Sequence, residues 1–151
     1  MVAYQLSIFA ENKPGKLAAV TSVLAKAKVS IRATTIATAD TFGVINLIVD
    51  DPKRAETALT KAGMTVHLRP VLAVMIDDRP GGLDRLTQLL FKEKINIHNA
   101  YGFVLESREK AVFIVDVDQM DRTAALLEKN GFRTLDTEAL SAIEPFHYMK
   151  Y

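Results

Sequence analysis

The feature that most constrains the fold is an internal duplication. When Pro14-Gly15 is aligned with Pro80-Gly81, six positions of the following segment hold identical residues in both copies. In the second copy these positions are Leu83, Thr87, Leu90, Lys92, Lys94 and Ile97. After two extra residues near a predicted turn at Ser107 to Lys110, the match resumes at Val49-Asp50 over Val117-Asp118. A repeat of this length predicts one supersecondary unit present twice, as domains over residues 1–69 and 70–151.

Each copy predicts the same order of elements. Leu6, Ile8 and Ala10 alternate as in a half-buried strand, and Leu17, Val20 and Leu24 recur at helical spacing. Gly63 and Gly131 follow a second helix as C-terminal caps would. The predicted order is βαββαβ in each copy. Right-handed crossovers then place both helices on one side of an antiparallel sheet, which is the α+β, ferredoxin-like arrangement. The aromatic tail at residues 144–148 is expected to pack on this fold.

The composition excludes several classes of protein. The chain has 151 residues, a net charge of +1 and no cysteine. Near-neutral charge argues against a nucleic-acid binder with a broad basic face, and the missing thiols exclude disulfides and thiolate metal sites. The start lacks the basic and apolar regions of a signal peptide, and the longest apolar run, residues 71–76, is too short to cross a bilayer. We therefore expect a cytoplasmic protein with no membrane partner.

The turn before the first helix of each copy is the first candidate site. Proline suits the first helical position because it lacks an amide hydrogen, and neither Lys13 nor Arg79 before it can cap the helix. The next amides, at Lys16-Leu17 and Gly82-Leu83, are therefore predicted to be free donors at the positive end of the helix dipole, where a carboxylate binds favourably. The alternative is that Asn12 or Asp78 folds back and caps these amides.

A second candidate site lies at the start of the next strand. In the second copy this segment is Asn96-Ile97-His98-Asn99, and in the first copy Ser30 occupies the position of Asn96. Amide side chains can both donate and accept, and Asn96 and His98, two residues apart, are expected on one face of the sheet. The alternative is that Asn96 only tolerates a left-handed turn.

These motifs resemble the ACT domain in both copies, over about residues 3–69 and 71–138. The resemblance is strongest in the second copy, through Asp78, Pro80-Gly81, Leu83 and Asn96-Ile97. It implies a regulatory, non-catalytic module that binds a free amino acid between ACT units, in a homodimer that signals occupancy to a regulated metabolic enzyme. No cofactor or metal is implied. The ligand-binding residues implied by the resemblance are Asp78, Arg79, Gly81, Gly82, Leu83, Asn96, Ile97, His98, Asn99, Asn12, Lys16, Leu17 and Ser30.

Within this set the resemblance assigns separate roles. The Gly82-Leu83 amides would hold the ligand carboxylate, Asp78 and Asn96 would accept from its ammonium, and His98, Asn99 or Tyr101 would meet its side chain. The first copy departs from the pattern, because Ser30 replaces the asparagine and Lys16 replaces the second glycine. One dominant site, in the second copy, is therefore expected.

Three other functions are alternatives to amino-acid binding. A catalyst of the same fold is disfavoured because the sequence holds none of the common catalytic motifs, and Arg79-Pro80-Gly81-Gly82 only partly imitates an acylphosphatase anion loop. An RNA-recognition module would need exposed aromatic residues on its central strands, for which only Tyr101 and Phe103 qualify. The third is a structural or partner-binding ACT module without a ligand.

Overall fold

The computed structural model describes residues 2–106 and 108–142. Contacts between α-carbons divide the chain into an N-terminal unit, Tyr4–Arg69, and a C-terminal unit that begins at Pro70 and includes the first residues up to Ala3. The predicted packing of the tail at residues 144–148, and Ser107 of the predicted turn, lie outside the described residues.

The N-terminal unit has the predicted order of elements. They are β1 (Ala3–Glu11), α1 (Lys16–Lys26), β2 (Ile31–Ala39), β3 (Phe42–Val49), α2 (Pro52–Lys61) and β4 (Thr65–Asp77). The strands follow the spatial order β2-β3-β1-β4, and β3 pairs antiparallel with both β1 and β2. This is the order of a ferredoxin-like sheet.

The C-terminal unit repeats the pattern, using β4 from residue 70 as its first strand. The elements that follow are α3 (Gly82–Lys92), β5 (Ile97–Glu106), β6 (Lys110–Val117), α4 (Met120–Lys129), β7 (Thr134–Leu135) and α5 (Thr137–Ser141). Its strand order is β7-β4-β6-β5. The βαββαβ prediction is confirmed for both copies, whereas α5 was not predicted.

Each unit buries its own apolar core. In the N-terminal unit the alternating residues of β1 and β3, among them Leu6 and Leu47, pack with Leu24 of α1. In the C-terminal unit Val115 packs with Leu86 of α3. Full burial of such a side chain stabilises the fold by about 1.5–3 kcal/mol, so alternation and helical spacing together select this arrangement.

Two residues after the first helix of each unit lies a lysine with left-handed backbone. The φ angles are 58° at Lys28 and 59° at Lys94, and Asn96 is not among the residues with positive φ. The Lys94 amide donates to the Phe91 carbonyl, which is the bond pattern of a helix C-terminal cap. The alternative that Asn96 supplies the left-handed turn is therefore wrong. Gly63 and Gly131 end the second helices as predicted, with φ of 86° and 81°.

Polar side chains are buried on the sheet face opposite the helices in the N-terminal unit. Asn46 Oδ1 accepts from Ser7 Oγ at 2.8 Å and from Gln5 Nε2 at 3.1 Å. All three residues are at most 7% exposed. Because each buried donor or acceptor has a partner, the cluster avoids the cost of unsatisfied polar groups.

On the corresponding face of the C-terminal unit, Tyr101 of β5 is half-buried. Burial, and to a smaller extent the charge of Asp116, raise the pKa of the Tyr101 hydroxyl well above its usual value. A half-buried ring exposes only part of its surface, which disfavours Tyr101 as the stacking platform of an RNA-recognition module.

Candidate ligand site at the first turn of two helices

The N-terminus of α1 is open to a ligand. Its N-cap is Gly15, with φ 90°, and no side chain caps the helix. Among the described residues no acceptor meets the amides of Lys16, Leu17 and Ala18, and the first turn carries no acidic residue. These three donors lie at the positive end of the helix dipole and can receive an anion.

Asn12 holds this loop in place but does not cap the helix. Its Nδ2 donates to the carbonyl of Asp40 at 3.0 Å, and its backbone amide donates to Thr41 O at 2.8 Å. Both acceptors lie in the turn between β2 and β3. The alternative in which Asn12 caps α1 is therefore wrong, and its Oδ1 is left to accept from a ligand.

Asp78 has the equivalent role in the C-terminal unit. Its Oδ2 accepts from the Arg108 amide at 2.7 Å, and its own amide donates to Glu109 O at 3.0 Å. These contacts tie the loop to the β5–β6 turn, so Asp78 does not cap α3 either. One carboxylate oxygen is already used, which reduces what Asp78 can offer an ammonium group.

The N-terminus of α3 is less open than that of α1. Gly81 is its N-cap with φ 90°, and no side chain caps it. The Gly82 amide donates to Arg79 O at 3.0 Å, so it is not the free donor that the sequence predicts. The Leu83 amide meets no acceptor among the described residues, but Asp84 places a negative charge in the same turn.

Gly82 is required by the chain itself. A Cβ at this position would overlap the carbonyl oxygen of Asp77, whereas a Cβ at Gly81 would meet open space. Backbone packing therefore explains this glycine without a ligand approaching it.

Three ion pairs fix the charges beside these turns. Asp77 contacts Lys110 Nζ at 2.6 Å and Arg79 at 3.1 Å, and its pKa is lowered chiefly by the hydrogen bond from Lys110. In the N-terminal unit Glu11 contacts Lys13 Nζ at 3.1 Å, and this bond is the main cause of its lowered pKa. Both carboxyl groups are therefore ionised at neutral pH, and Arg79 pairs with Asp77 within its own loop.

A pocket of about 110 Å³ lies between the α1 turn and strand β2. It brings together three of the predicted residues, Asn12, Lys16 and Leu17. The remaining lining residues are Ala10, Glu11, Lys13, Ile36, Thr38, Gly43 and Ile45.

The sequence reasoning missed Glu11, Ile36 and Thr38 as lining residues. Glu11 immediately precedes the Asn-Lys-Pro-Gly segment, so its position pointed to the site. Ile36 and Thr38 are two residues apart and share a face of β2, but only the β2–β3 pairing brings that face beside the loop.

The predicted residues at the start of the second strand lie elsewhere. In the N-terminal unit the Ser30 amide donates to Asp50 Oδ1 at 2.9 Å, and Ser30 O accepts from the Asp50 amide at 3.1 Å. In the C-terminal unit Asn96 O accepts from the Asp118 amide at 3.4 Å. His98 Nε2 lies 2.5 Å from Asp118 Oδ1. The carboxylate of Asp118 therefore contacts the side chain of His98 instead of the backbone amide of Asn96.

Ile97 and Asn99 are both partly buried. Ile97 packs against the core of the C-terminal unit. Asn99 is paired with Asp116 after a β-bulge, and its buried Nδ2 has no hydrogen-bond partner in the described structure.

These residues and the α3 turn lie at opposite ends of one sheet. Asp77 pairs with Lys110 at the start of β6, whereas Ile97 pairs with Val117 at its end. The separation along β6 is roughly 23 Å at the usual rise per residue. Asn96 and His98 therefore cannot share a ligand with Asp78 and Leu83 of the same unit.

The sequence matches the family of the ACT domain pair over residues 1–143. The chain belongs to this family. The match spans both copies of the duplicated unit, as the resemblance of the loop motifs predicts. The sequence matches none of the curated proteins with which it was compared.

Solved structures agree with the assignment to the ACT domain pair. Protein BT0572 from Bacteroides thetaiotaomicron is 33% identical, with a TM-score of 0.87, and the alignment covers 94% of this chain and 97% of that protein. The ligand-free regulatory subunit of aspartate kinase from Thermus thermophilus shares the fold at 15% identity, with a TM-score of 0.60 and coverage of 87% and 97%. The regulatory subunit of aspartate kinase from Thermus flavus is similar at 18% identity, with a TM-score of 0.57 and coverage of 84% and 92%.

No helix in residues 2–106 and 108–142 has the length and apolar character needed to cross a membrane.

Proposed function

We propose that this ACT domain pair is a non-catalytic regulatory module that binds a free amino acid and signals its occupancy to a metabolic enzyme. The observation that carries the proposal is the uncapped first turn of α1, whose three amides meet no acceptor in the described structure, beside a pocket that contains an ionised carboxylate. An α-amino acid presents a carboxylate and an ammonium a few ångströms apart, and this pocket offers partners for both.

The proposed binding mode assigns each ligand group to a wall of the pocket. The ligand carboxylate accepts from the Leu17 and Ala18 amides, beside the cationic side chain of Lys16. The ammonium donates to Asn12 Oδ1 and to Oε1 of Glu11, because the ion pair with Lys13 uses Oε2. Charge-assisted hydrogen bonds of this kind are shorter and stronger than neutral ones, so they orient the ligand.

The ligand's side chain points towards the apolar part of the same pocket. Ile36 and Ile45 line it on the sheet side, and Leu17 lines it on the helix side. About 110 Å³ is the volume of roughly four water molecules, which fits a small amino acid or only the charged head of a larger one. A second ACT unit therefore completes the site in our proposal, as the ACT resemblance implies.

The sequence also predicts a site at the α3 turn, through Asp78, Arg79 and Leu83, with Asn96, His98 and Asn99 supplied by a different ACT unit. This site remains a prediction. The acidic residue in the first turn and the bonded Gly82 amide make α3 the weaker carboxylate site of the two. Homodimer formation and a cytoplasmic location belong to the same proposal.

A thermal-shift screen against the twenty amino acids, followed by calorimetry on each hit, tests the function. A ligand at a hundred times its dissociation constant stabilises a protein by about 2.7 kcal/mol, which raises the melting temperature by several degrees. A selective shift supports the amino-acid sensor. If no amino acid shifts a well-folded sample, the partner-binding module without a ligand becomes the better interpretation.

Two variants then locate the site. Glu11→Gln removes the proposed ammonium acceptor. It is expected to lower the affinity for the amino acid found in the screen by about tenfold or more. Glu56→Gln in α2 removes the same charge from the same unit outside the pocket, and should leave the affinity unchanged. Equal affinities for both variants and the parent chain would move the site away from the α1 turn.

A further inference from the structure

Both units contain a second pocket, on the other side of the first helical turn. In the C-terminal unit its volume is about 240 Å³, and it lies between the N-terminus of α3 and the C-terminus of α4. In the N-terminal unit an equivalent pocket of about 320 Å³ lies between the N-terminus of α1 and the C-terminus of α2. Gly131 and Gly63 occupy matching positions on their walls.

The two pockets share their backbone but differ in charge, since the N-terminal pocket is lined by one cation, Lys16, and one carboxylate, Glu11, which balance. Three cationic side chains line the C-terminal pocket, from three different elements or loops, and neutral residues replace all of them in the N-terminal pocket. The replacements are Ala19 for Arg85, Phe42 for Lys110 and Thr65 for Arg133. Packing of the shared fold does not need the cations, since the N-terminal unit builds the same pocket without them.

The cations are held in different ways. The Arg85 guanidinium lies 4.2 Å from the centre of the Phe132 ring and donates to Asn130 O at 2.9 Å, which fixes its plane at the pocket wall. Lys110 contacts Asp77, and Arg133 forms no ion pair among the described residues. Asp77 is the one acidic lining residue, so the pocket carries a net positive charge.

We infer that this cationic pocket, defined by Asp77, Gly82, Arg85, Lys110, Gly131 and Arg133, binds a small phosphate-bearing anion. A planar guanidinium pairs with phosphate through two parallel hydrogen bonds, and a lysine adds a point charge. The pocket volume equals that of about eight water molecules, enough for a phosphate group with a small substituent.

The charge balance disfavours an amino acid in this pocket. Asp77 supplies the only carboxylate of the lining, and both of its oxygens are already bonded, Oδ1 to Lys110 and Oδ2 to Arg79. A ligand ammonium would therefore find no free carboxylate oxygen in this pocket and would be repelled by its cations. The cationic residues are also separate from the α1 turn proposed for amino acids. The inference therefore stands whether or not an amino acid binds.

Titration with inorganic pyrophosphate, followed in amide NMR spectra of the full chain, tests this assignment. Saturable shifts are expected for the Gly82 and Gly131 amides, which line the cationic pocket. Gly102, in β5 and outside the pockets described above, is the internal control and should not move. Absence of saturable shifts at Gly82 and Gly131, or equal shifts at Gly102, would overturn the assignment.

Calorimetry on charge-removing variants distinguishes a specific binding site from non-specific electrostatic attraction. Arg133→Gln breaks no ion pair in the described structure and should lower the affinity for pyrophosphate by about tenfold or more. Lys110→Gln should lower it to a similar extent. Lys92→Gln removes an equal charge at the far end of α3 and should leave the affinity unchanged. If Lys92→Gln weakens binding as much as Arg133→Gln, the attraction is non-specific and the inference fails.

Discussion

The α-carbon of Gly82 faces the carbonyl oxygen of Asp77 so closely that any Cβ would overlap it. A glycine that looks like a feature for ligand access is therefore needed to close the loop between β4 and α3. Substitution by a bulky residue would disturb the fold, so it cannot test ligand binding by itself.

Gly82→Ala is expected to lower the free energy of unfolding by about 3 kcal/mol, at the upper end for overpacking, because backbone atoms must move. Gly81→Ala is the matched control. Its Cβ would meet open space, and only its left-handed backbone, with φ 90°, penalises alanine, by about 1 kcal/mol. Urea unfolding measures the free energy of unfolding of both variants. A loss for Gly82→Ala that is equal to or smaller than the loss for Gly81→Ala would contradict the steric argument.

Lys28→Gly and Lys94→Gly are expected to stabilise the chain. Both lysines hold φ near 60° after the first helix of their unit, a conformation that glycine adopts at no steric cost. The expected gain is about 0.5–1 kcal/mol at each position. Lys26→Gly, in the last turn of α1, should instead cost up to about 1 kcal/mol. A loss of stability in the first two variants would show that these lysines make contacts that outweigh their backbone strain.

Asn46→Ala is expected to cost about 2–3 kcal/mol, because it leaves the buried Ser7 hydroxyl and the Gln5 amide without their shared acceptor. Thr34→Ala, at an exposed position on β2, should change stability by less than about 0.5 kcal/mol. Chemical denaturation measures both changes. Similar small losses would mean that Asn46 does not hold this cluster together.

Tyr101 should make the fold sensitive to alkali. Its folded pKa is raised above the usual 10.0, so the folded state keeps the phenol proton at a pH where the unfolded chain loses it. This favours unfolding as the pH rises above 10, by up to about 1.4 kcal/mol per pH unit.

The test compares the pH dependence of the unfolding free energy in two variants. Tyr101→Phe should flatten the alkaline loss, whereas Tyr4→Phe, at a position with an exposed side chain, should preserve it. Parallel curves for Tyr101→Phe and the parent chain would rule out Tyr101 as the source.

Much of the fold was predictable because its signals are local. The strands and helices follow the alternation of Leu6 and Ile8 and the helical spacing of Leu86 and Leu90, which pack into cores as expected. Helix ends were less predictable. Glycine at residues 63 and 131 predicted the ends of α2 and α4, but Lys28 and Lys94, which follow α1 and α3, carry no such signal because lysine does not favour a left-handed backbone.

The candidate site was only half predictable. Asn12, Lys16 and Leu17 lie within six residues of one another, so one loop necessarily brings them together. Ile36 and Thr38 come from a strand that is distant in sequence, and they reach the loop only through pairing of β2 with β3 and of β3 with β1.

The sequence by itself determined the duplicated βαββαβ order, the two cores and the ACT motifs, because each depends on neighbouring residues and on hydrophobic periodicity. Only the tertiary structure decided which polar groups meet and which are already bonded. It placed Asn96 and Asp78 at opposite ends of one sheet, because α3 runs back along the sheet before β5 begins. It also gathered Arg85, Lys110 and Arg133 around one pocket. Hydrogen-bond partners and charge clusters are set by pairing between distant segments, which no local pattern encodes.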